Sequence, residues 1–482
     1  MKKEFLVNIS ILLGLNLVIK PFYVFGLERG VHDQLGNESF ELYLSLFSIA
    51  VIFQIINDLG IQSYTSKRLS EAPELIQSLF SNFLGFKLIL GLLYFLLLFA
   101  ASVFLDYDRS SQMLLYGLGI VHFLSGMLQY LRANLAGIGR YRIDSLLSAV
   151  DRSILIIILS IILFGQWDIN FDLSWFIRAQ ILSMAISVVI GFLLLRPYLK
   201  EVVWTLNRSI FVKQVKESLP YAVAVLLMAL YSRMDQVMLE RMLTGSGEGG
   251  VYGMSYRLLD VLNMIGFLFA GLLLPMFAKM NSEGSDVKGL IALSGKILFG
   301  GTIVLAFAVS AVSFELLDFM YPSLSVSSIN VEVTQYLMGS LVMMSGGYIF
   351  GTYLVATGRL KRLNLLFIAS LVLNFTLNLF WIREYGAAGA AKATLITQTL
   401  VFLVEFIWVS SLRLIDHKDL TLRVLVLVLL MSFLILGDPL TYMNQFMIKL
   451  AIYIFIGLAG GFVFGLFPLN EFLKILKSKE KH

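Results

Sequence analysis

The chain has 482 residues, is 58% hydrophobic and only 14% charged, and has a mean hydropathy of +0.84, values that exclude a soluble globular domain. It has no Cys, which excludes disulfides, thiolate catalysis and Cys-based metal sites, and its four His (His32, His122, His417, His482) make no ligand spacing. The net charge of +5 is accounted for by membrane topology and carries no implication of nucleic-acid binding.

The amino terminus, MKKEFLVNISILLGLNLVIKPFYVFGLERG, places basic residues before an apolar run, as a secretory signal does. The run is too long for an h-region and no small-x-small site follows, so it reads as a first transmembrane helix. Pro21 is expected to kink its outer part. Apolar runs of roughly 20 residues then recur; they predict helices, since barrel strands would be about 10 residues of alternating character. About 14 spans follow, near 5–27, 40–60, 79–105, 111–136, 144–165, 172–195, 217–241, 249–278, 288–313, 331–357, 363–383, 386–411, 420–437 and 444–467.

Alternate connections differ sharply in charge. One set runs from Lys2 and Lys3 through Lys67, Arg68, Arg140, Arg142, Arg359, Lys361 and Arg362 to the tail Lys474, Lys477, Lys479 and Lys481, whereas the other carries only Arg29, Arg109, Arg241 and Arg383. Positive charge is retained on the cytoplasmic side, so both termini are expected there, in a multi-pass protein.

An internal repeat runs through the chain. Residues 135–147, LAGIGRYRIDSLL, align without gaps on 354–366, LVATGRLKRLNLL; Glu28 and Arg29 match Glu240 and Arg241, Tyr43 matches Tyr252, and 171–178 matches 385–392 in spacing. Six helices recurring after six keep the same orientation, which predicts parallel repeats about an axis normal to the membrane with a cavity between them. The expected organisation is an all-α polytopic protein: an N-lobe over 1–200 (helices 1–6), a cytoplasmic linker over 201–216, a C-lobe over 217–411 (helices 7–12), and helices 13–14 with a basic tail over 412–482.

Charges inside the spans carry the functional reading. A charged residue at mid-bilayer costs roughly 2.5–3.5 kcal/mol on insertion scales, so it needs a protein interior or a wet cavity. Lys20, Arg178, Arg233, Arg257, Lys392 and Lys449 all fall about five to eight residues from the outer end of their helices, a cationic belt roughly 8–12 Å below the outer face. Arg233 and Asp235 in span 7 face Arg257 and Asp260 in span 8, which predicts cross-pairs such as Arg233 with Asp260 and Asp235 with Arg257. Cations outnumber acidic partners, and Arg offers bidentate phosphate geometry. Lys20 and Lys449 are equally accounted for by snorkelling to headgroups. Lys87, Arg132 and Lys296 read as snorkelling or structural salt bridges, Asp151 with Arg152 as a local pair, and Asp58 as an end cap or linker contact.

No catalytic constellation, nucleotide-binding loop or cofactor motif is present, and the longest outer connection, near Glu315 to Asn330, is short for a membrane glycosyl polymerase. The stretches SLPYAVAVLLMALYSRMDQVMLERM and GVYGMSYRLLDVLNMIGFLFAGLLLPMFAKM resemble the seventh and eighth helices of the polysaccharide transporter (Wzx-type O-antigen flippase) branch of the multidrug/oligosaccharidyl-lipid/polysaccharide (MOP) exporter superfamily. FSIAVIFQIINDLGIQSYTSKRLS, ATGRLKRLNLLFIASLVLNFTLNL and REYGAAGAAKATLITQ extend the likeness over roughly 5–411.

The resemblance implies a bilobed bundle around a central cationic cavity in a bacterial inner membrane. It implies alternating-access transfer of an undecaprenyl-pyrophosphate-linked oligosaccharide, a repeat unit of O-antigen, capsule or exopolysaccharide, to the outer leaflet. It places substrate-binding residues at Arg233, Asp235, Arg257 and Asp260; Arg178 and Lys392 join through the repeat, and Lys20 through the belt. A coupling H+ or Na+ is typical of the superfamily, and the glycosyltransferases and polymerase of the pathway are the implied partners. A peptidoglycan-precursor flippase and a drug or cation antiporter of the same superfamily stay open, as does, more distantly, a membrane glycosyl polymerase.

Overall fold

The computed structural model describes residues 2–23, 27, 29–165, 171–199, 208–243, 248–320, 326–412, 414, 417–437, 440 and 445–467. Among them every regular element is helical. Side chains at some helical positions, Lys20 and Arg233 among them, lie outside the description. Glu28, residues 201–207 of the expected linker and the basic tail lie outside it too, whereas 208–216 of that linker form the start of α9.

The helices are α1 (Lys2–Pro21), α2 (Arg29–Asp58), α3 (Ile61–Glu71), α4 (Ile76–Phe104), α5 (Arg109–Gly137), α6 (Tyr141–Leu147), α7 (Val150–Phe164), α8 (Leu173–Leu195), α9 (Arg208–Met242), α10 (Glu248–Ser282), α11 (Lys288–Ala311), α12 (Ser313–Met320), α13 (Ser328–Gly346), α14 (Thr352–Ala356), α15 (Leu360–Ser411), α16 (His417–Gly437) and α17 (Phe446–Val463). Each expected span coincides with one of these or with a closely linked pair. Nine helices are long and apolar enough to cross a membrane among the described residues. The 52-residue α15 holds two spans, α1 and α16 carry shorter apolar stretches, and α2 and α9 are more polar.

Local chemistry sets the ends. Asp108 caps α5 by accepting from the Ser110 and Ser111 N–H groups, and Asp172 caps α8 by accepting from Trp175 N–H at 2.9 Å. Pro21 is the last residue of α1, where a missing N–H is tolerated least inside a continuing helix. The outer connection expected near Glu315–Asn330 is partly ordered as α12. Between α13 and α14 a π-helical turn spans Gly347–Gly351.

The repeat is written in the backbone. Two residues beyond the end of α5 stands Gly139 with φ +79°, and two beyond the end of α14 stands Gly358 with φ +77°, a left-handed conformation that glycine adopts without steric cost. The closing hydrogen bonds match: Arg140 N–H to Leu135 O at 2.8 Å and Arg359 N–H to Leu354 O at 2.9 Å. The second matched segment also starts a helix in both places. After Asp172 the chain enters α8; after Gly386 (φ 55°, ψ −132°) it enters the second half of α15. Gly386 has no side chain to cap with, and the Glu248 carboxylate accepts from Ala387 N–H at 2.8 Å in its place.

The chain divides into two compact units, residues 7–223 and residues 224–482 with 1–6. The N-terminal unit packs around Tyr43, Tyr94, Leu98, Leu118, Leu159 and Phe176. The C-terminal unit packs around Leu239, Tyr252, Leu259, Leu337, Ile382 and Ala391.

Candidate functional site

On α9, Tyr231, Asp235, Met238 and Leu239 recur at helical spacing and are all buried. Asp235 therefore points into the C-terminal unit, with no exposed surface. Three further segments close on it. From α10, the Tyr252 hydroxyl donates to Oδ2 at 2.8 Å; from the first half of α15, Asn378 Nδ2 donates to Oδ1 at 2.7 Å; from the second half, the Thr394 hydroxyl donates to Oδ2. Asn378 Nδ2 also donates to Asn374 Oδ1 at 3.1 Å. Asn374 and Asn378, four residues apart, share one face of an apolar helix, and both are fully buried.

Every partner of Asp235 named here is neutral, Asn374 among those that stabilise its carboxylate, and the cluster is left incomplete: Asn378 Oδ1 has no hydrogen-bond partner, nor does the nearby Thr397 hydroxyl. Buried amides are nearly always satisfied, so orphans beside a carboxylate mark a place for something small and polar. The oxygen set of Asp235, Asn374, Asn378 and Thr394 is hard and carries one negative charge. It suits a proton or a monovalent cation, not a soft metal. Among the described residues there is no cluster of His and carboxylates that would hold a multivalent metal.

Arg257 is not a partner of Asp235. At 3.6 residues per turn it lies about 140° around α10 from Tyr252, so the rotation that brings Tyr252 to Asp235 turns Arg257 outward, and it is exposed. Asp260 is half-buried and lies within electrostatic reach of Tyr348. The side chains of Arg233 and Lys20 lie outside the described residues, and with them the expected Arg233–Asp260 pair. Lys392 pairs with Glu332 at 3.3 Å and lies over the rings of Tyr336 and Tyr385. Lys449, which is buried, pairs with Glu315 at 3.9 Å. Arg178 is exposed and stacks over Trp175 at 5.8 Å.

Arg178 and Lys392, matched by the repeat, each head a stripe that protein leaves uncovered: Leu182, Val189 and Leu193 on α8, and Ile396, Leu403 and Ile407 on α15. These apolar residues occupy matched positions in the two units.

Several of the other charges within the spans form ion pairs. Arg132 Nε meets Asp144 at 2.8 Å, Lys87 meets Asp58 at 3.6 Å and donates to Asn57 O, and Arg152 meets Asp151 at 3.5 Å. Asp58 also accepts from Gln62 N–H at the start of α3.

The site residues that the sequence reading omitted are Asn374, Asn378 and Thr394. The signal was available: two Asn at i, i+4 in the apolar run SLVLNFTLNLF. A survey of charge passes over them because they are neutral.

Solved structures of similar fold include a mutant of a MATE transporter (TM-score 0.69, 16% identity, 86% of this chain and 96% of that one). A mutant of the Vibrio cholerae MATE transporter VcmN has TM-score 0.68 and 15% identity over 86% of this chain and 97% of that one. A MOP-superfamily transporter of Pyrococcus furiosus, described as having a binding pocket of reverse polarity, has TM-score 0.68 and 15% identity over 86% of this chain and 96% of that one. No curated protein sequence matches the chain. The family model described as "Polysaccharide biosynthesis protein" matches residues 33–281, more than half of the sequence. The chain, built on the fold of the MOP-superfamily transporters, thus belongs to the polysaccharide biosynthesis protein family.

Proposed function

We propose that this protein is a flippase that moves an undecaprenyl-pyrophosphate-linked oligosaccharide repeat unit of O-antigen, capsule or exopolysaccharide across a bacterial inner membrane by alternating access. The observation that carries the reading is the pair of repeat-matched stripes, each an uncovered apolar track with a cation at one end (Arg178, Lys392). A long apolar tail with an anionic headgroup is the ligand such a track complements, and a guanidinium meets pyrophosphate oxygens bidentately. Arg257, with Arg233, Asp260 and Lys20, is assigned to the same headgroup path. The Pyrococcus furiosus relative supports a fold in which pocket polarity varies.

The driving force is assigned to Asp235, whose carboxylate and incomplete oxygen shell take up H+ or Na+. Both termini are placed in the cytoplasm by the Lys and Arg of the connections, where pathway glycosyltransferases deliver the substrate.

The test is charge-neutral replacement of both track cations, Arg178→Gln with Lys392→Gln, in the producing bacterium. Surface glycan is expected to be lost and lipid-linked repeat units to accumulate on the cytoplasmic leaflet, with the chain inserted at normal levels. Wild-type surface glycan in that variant sinks the proposal. Lost resistance to a cationic drug with intact glycan would point to the antiporter reading instead.

A further inference from the structure

Seven residues beyond Gln398, in the apolar run VFLVEFIWV of α15, Glu405 is 1% exposed. Its surroundings are aromatic: Phe402 and Phe406 flank it on its own helix, and Phe350 packs against both. Facing it is the π-helical turn Gly347–Gly351. Two glycines, Gly351 and Gly346, make that approach possible, and Gly347 lies in ordinary contact. A Cβ on Gly351 would stand 2.8 Å from Glu405 Oε1, one on Gly347 3.5 Å from Oε2, and one on Gly346 2.2 Å from the Phe402 ring. The Gly351 N–H donates to the carboxylate, and Oε2 has no partner.

The titratable groups on the packed elements include Tyr231 on α9, Tyr256 and Asp260 on α10, Lys296 on α11, Tyr348 in the π turn and Tyr353 on α14, and of these Tyr231 lies within electrostatic reach of Glu405. Those of α13, Glu332 and Tyr336, are engaged by Lys392. Among the described residues none forms an ion pair with Glu405. An ionised carboxylate with one backbone donor in an aromatic shell is far costlier than its neutral acid. The shell differs in kind from that of Asp235. Among the described residues no side-chain amide or hydroxyl is hydrogen-bonded to Glu405, and the Tyr231 phenol within its electrostatic reach is held by Gln398, a set that suits a proton better than a metal cation.

We propose that Glu405 is a second ion site of the C-terminal unit, specific for protons, which holds a proton in the conformation seen here and releases it when the π turn at 347–351 rearranges. π turns inside helices recur at functional sites, because the displaced backbone groups have an alternative register within reach. The inference needs no particular cargo, so it stands or falls apart from the flippase reading.

The experiment is a pH titration of the full-length protein in proteoliposomes, without any lipid-linked sugar, followed by difference infrared spectroscopy. A carboxylic C=O band is expected that bleaches on alkalinisation, is absent in Glu405→Gln, survives in Asp235→Asn and is indifferent to Na+. Gly351→Ala, which crowds the carboxylate away from its one N–H donor while leaving Glu405 in place, is expected to move the midpoint up by about one pH unit, tenfold in proton affinity. Identical wild-type and Glu405→Gln spectra, a band that never titrates, or displacement by Na+ overturns the proposal. If Glu405→Gln does not insert, an unmoved midpoint in Gly351→Ala overturns it alone.

Discussion

The two units use one backbone plan for opposite chemistry. Extending the repeat segments along their helices sets Asp235 against Tyr23, Tyr252 against Tyr43, Asn374 against Leu155, Asn378 against Leu159 and Thr394 against Gln180. In the N-terminal unit Tyr23, Tyr43, Leu155 and Leu159 are members of one apolar cluster, and the Gln180-to-Tyr43 hydrogen bond, 3.2 Å, is the counterpart of Tyr252 with Thr394. Glu405 falls opposite Gly191, which packs on Leu128, Leu131 and Leu147. Where the N-terminal unit buries charge it does so in cation–carboxylate pairs; the C-terminal unit has one such pair, Lys449 with Glu315, but buries Asp235 and Glu405 with neutral partners. Paired charges are closed, with nothing left to take up. A carboxylate held by neutral donors keeps its own charge available for an ion, so the comparison separates a bracing half from an ion-binding half.

The sharpest way to break that division is Asp235→Asn. The variant keeps the shape and an acceptor for Asn378, turns the oxygen facing Tyr252 and Thr394 into an N–H donor that those hydroxyls can accept, and loses the charge, so Na+- or proton-driven transport is expected to fall by 100-fold or more, on the order of 3 kcal/mol of lost coupling, while the folded chain stays intact. Thermal unfolding supplies an independent readout. Wild type gains up to roughly 2.7 kcal/mol when its ion is present at 100 times Kd, and the variant gains nothing. Equal ion-dependent stabilisation of both proteins would move the ion site elsewhere.

The reciprocal experiment is in the N-terminal unit. Asp144→Ala strands Arg132, whose Nε is 2.8 Å from the carboxylate, and removing one partner of a buried pair costs about 3 kcal/mol. Replacing both partners together, Arg132→Met with Asp144→Leu, is expected to restore most of that stability, because an apolar pair of similar volume does without the desolvation penalty. Transport should follow stability in this series and show no change in ion dependence. A double variant as unstable as the single one would mean that the pair does more than brace.

How much of this was legible in the sequence depends on the kind of signal. Hydropathy marked the spans because a helix crossing a bilayer must be apolar for its whole length, and helical segments lie at every one. The repeat was legible at Gly139 and Gly358 because a left-handed turn leaves a residue-type trace. The capping carboxylate of the second half of α15 was not, because Glu248 is 139 residues from Ala387 in the chain. Charge alone drew Asp235 towards Arg257, whereas helical phase on α10 hands it to Tyr252. Glu405 was overlooked because a single acid in an apolar run has no pattern; only the facing glycines give it a meaning. Buried neutral donors are visible in a sequence only when helical phase is already known.

The smallest effect separates the halves at the matched helix start. Asp172 caps α8 from within its own chain segment, and Glu248 caps the second half of α15 from another helix, α10. Asp172→Ala and Glu248→Ala remove the same kind of hydrogen bond and are each expected to cost about 1 kcal/mol. Their reach should differ. Without Asp172 only the first turn of α8 frays, since nothing else hung on that side chain. Without Glu248 the start of α15's second half and the start of α10 lose one another together, and Gly386 loses the contact that holds its φ of 55°. Amide hydrogen exchange reads this directly: protection is expected to fall in the first turn of α8 alone for Asp172→Ala, and in both α10 and α15 for Glu248→Ala. Loss confined to α15 in the second variant would make Glu248 a local cap like Asp172, and the two halves alike at this point.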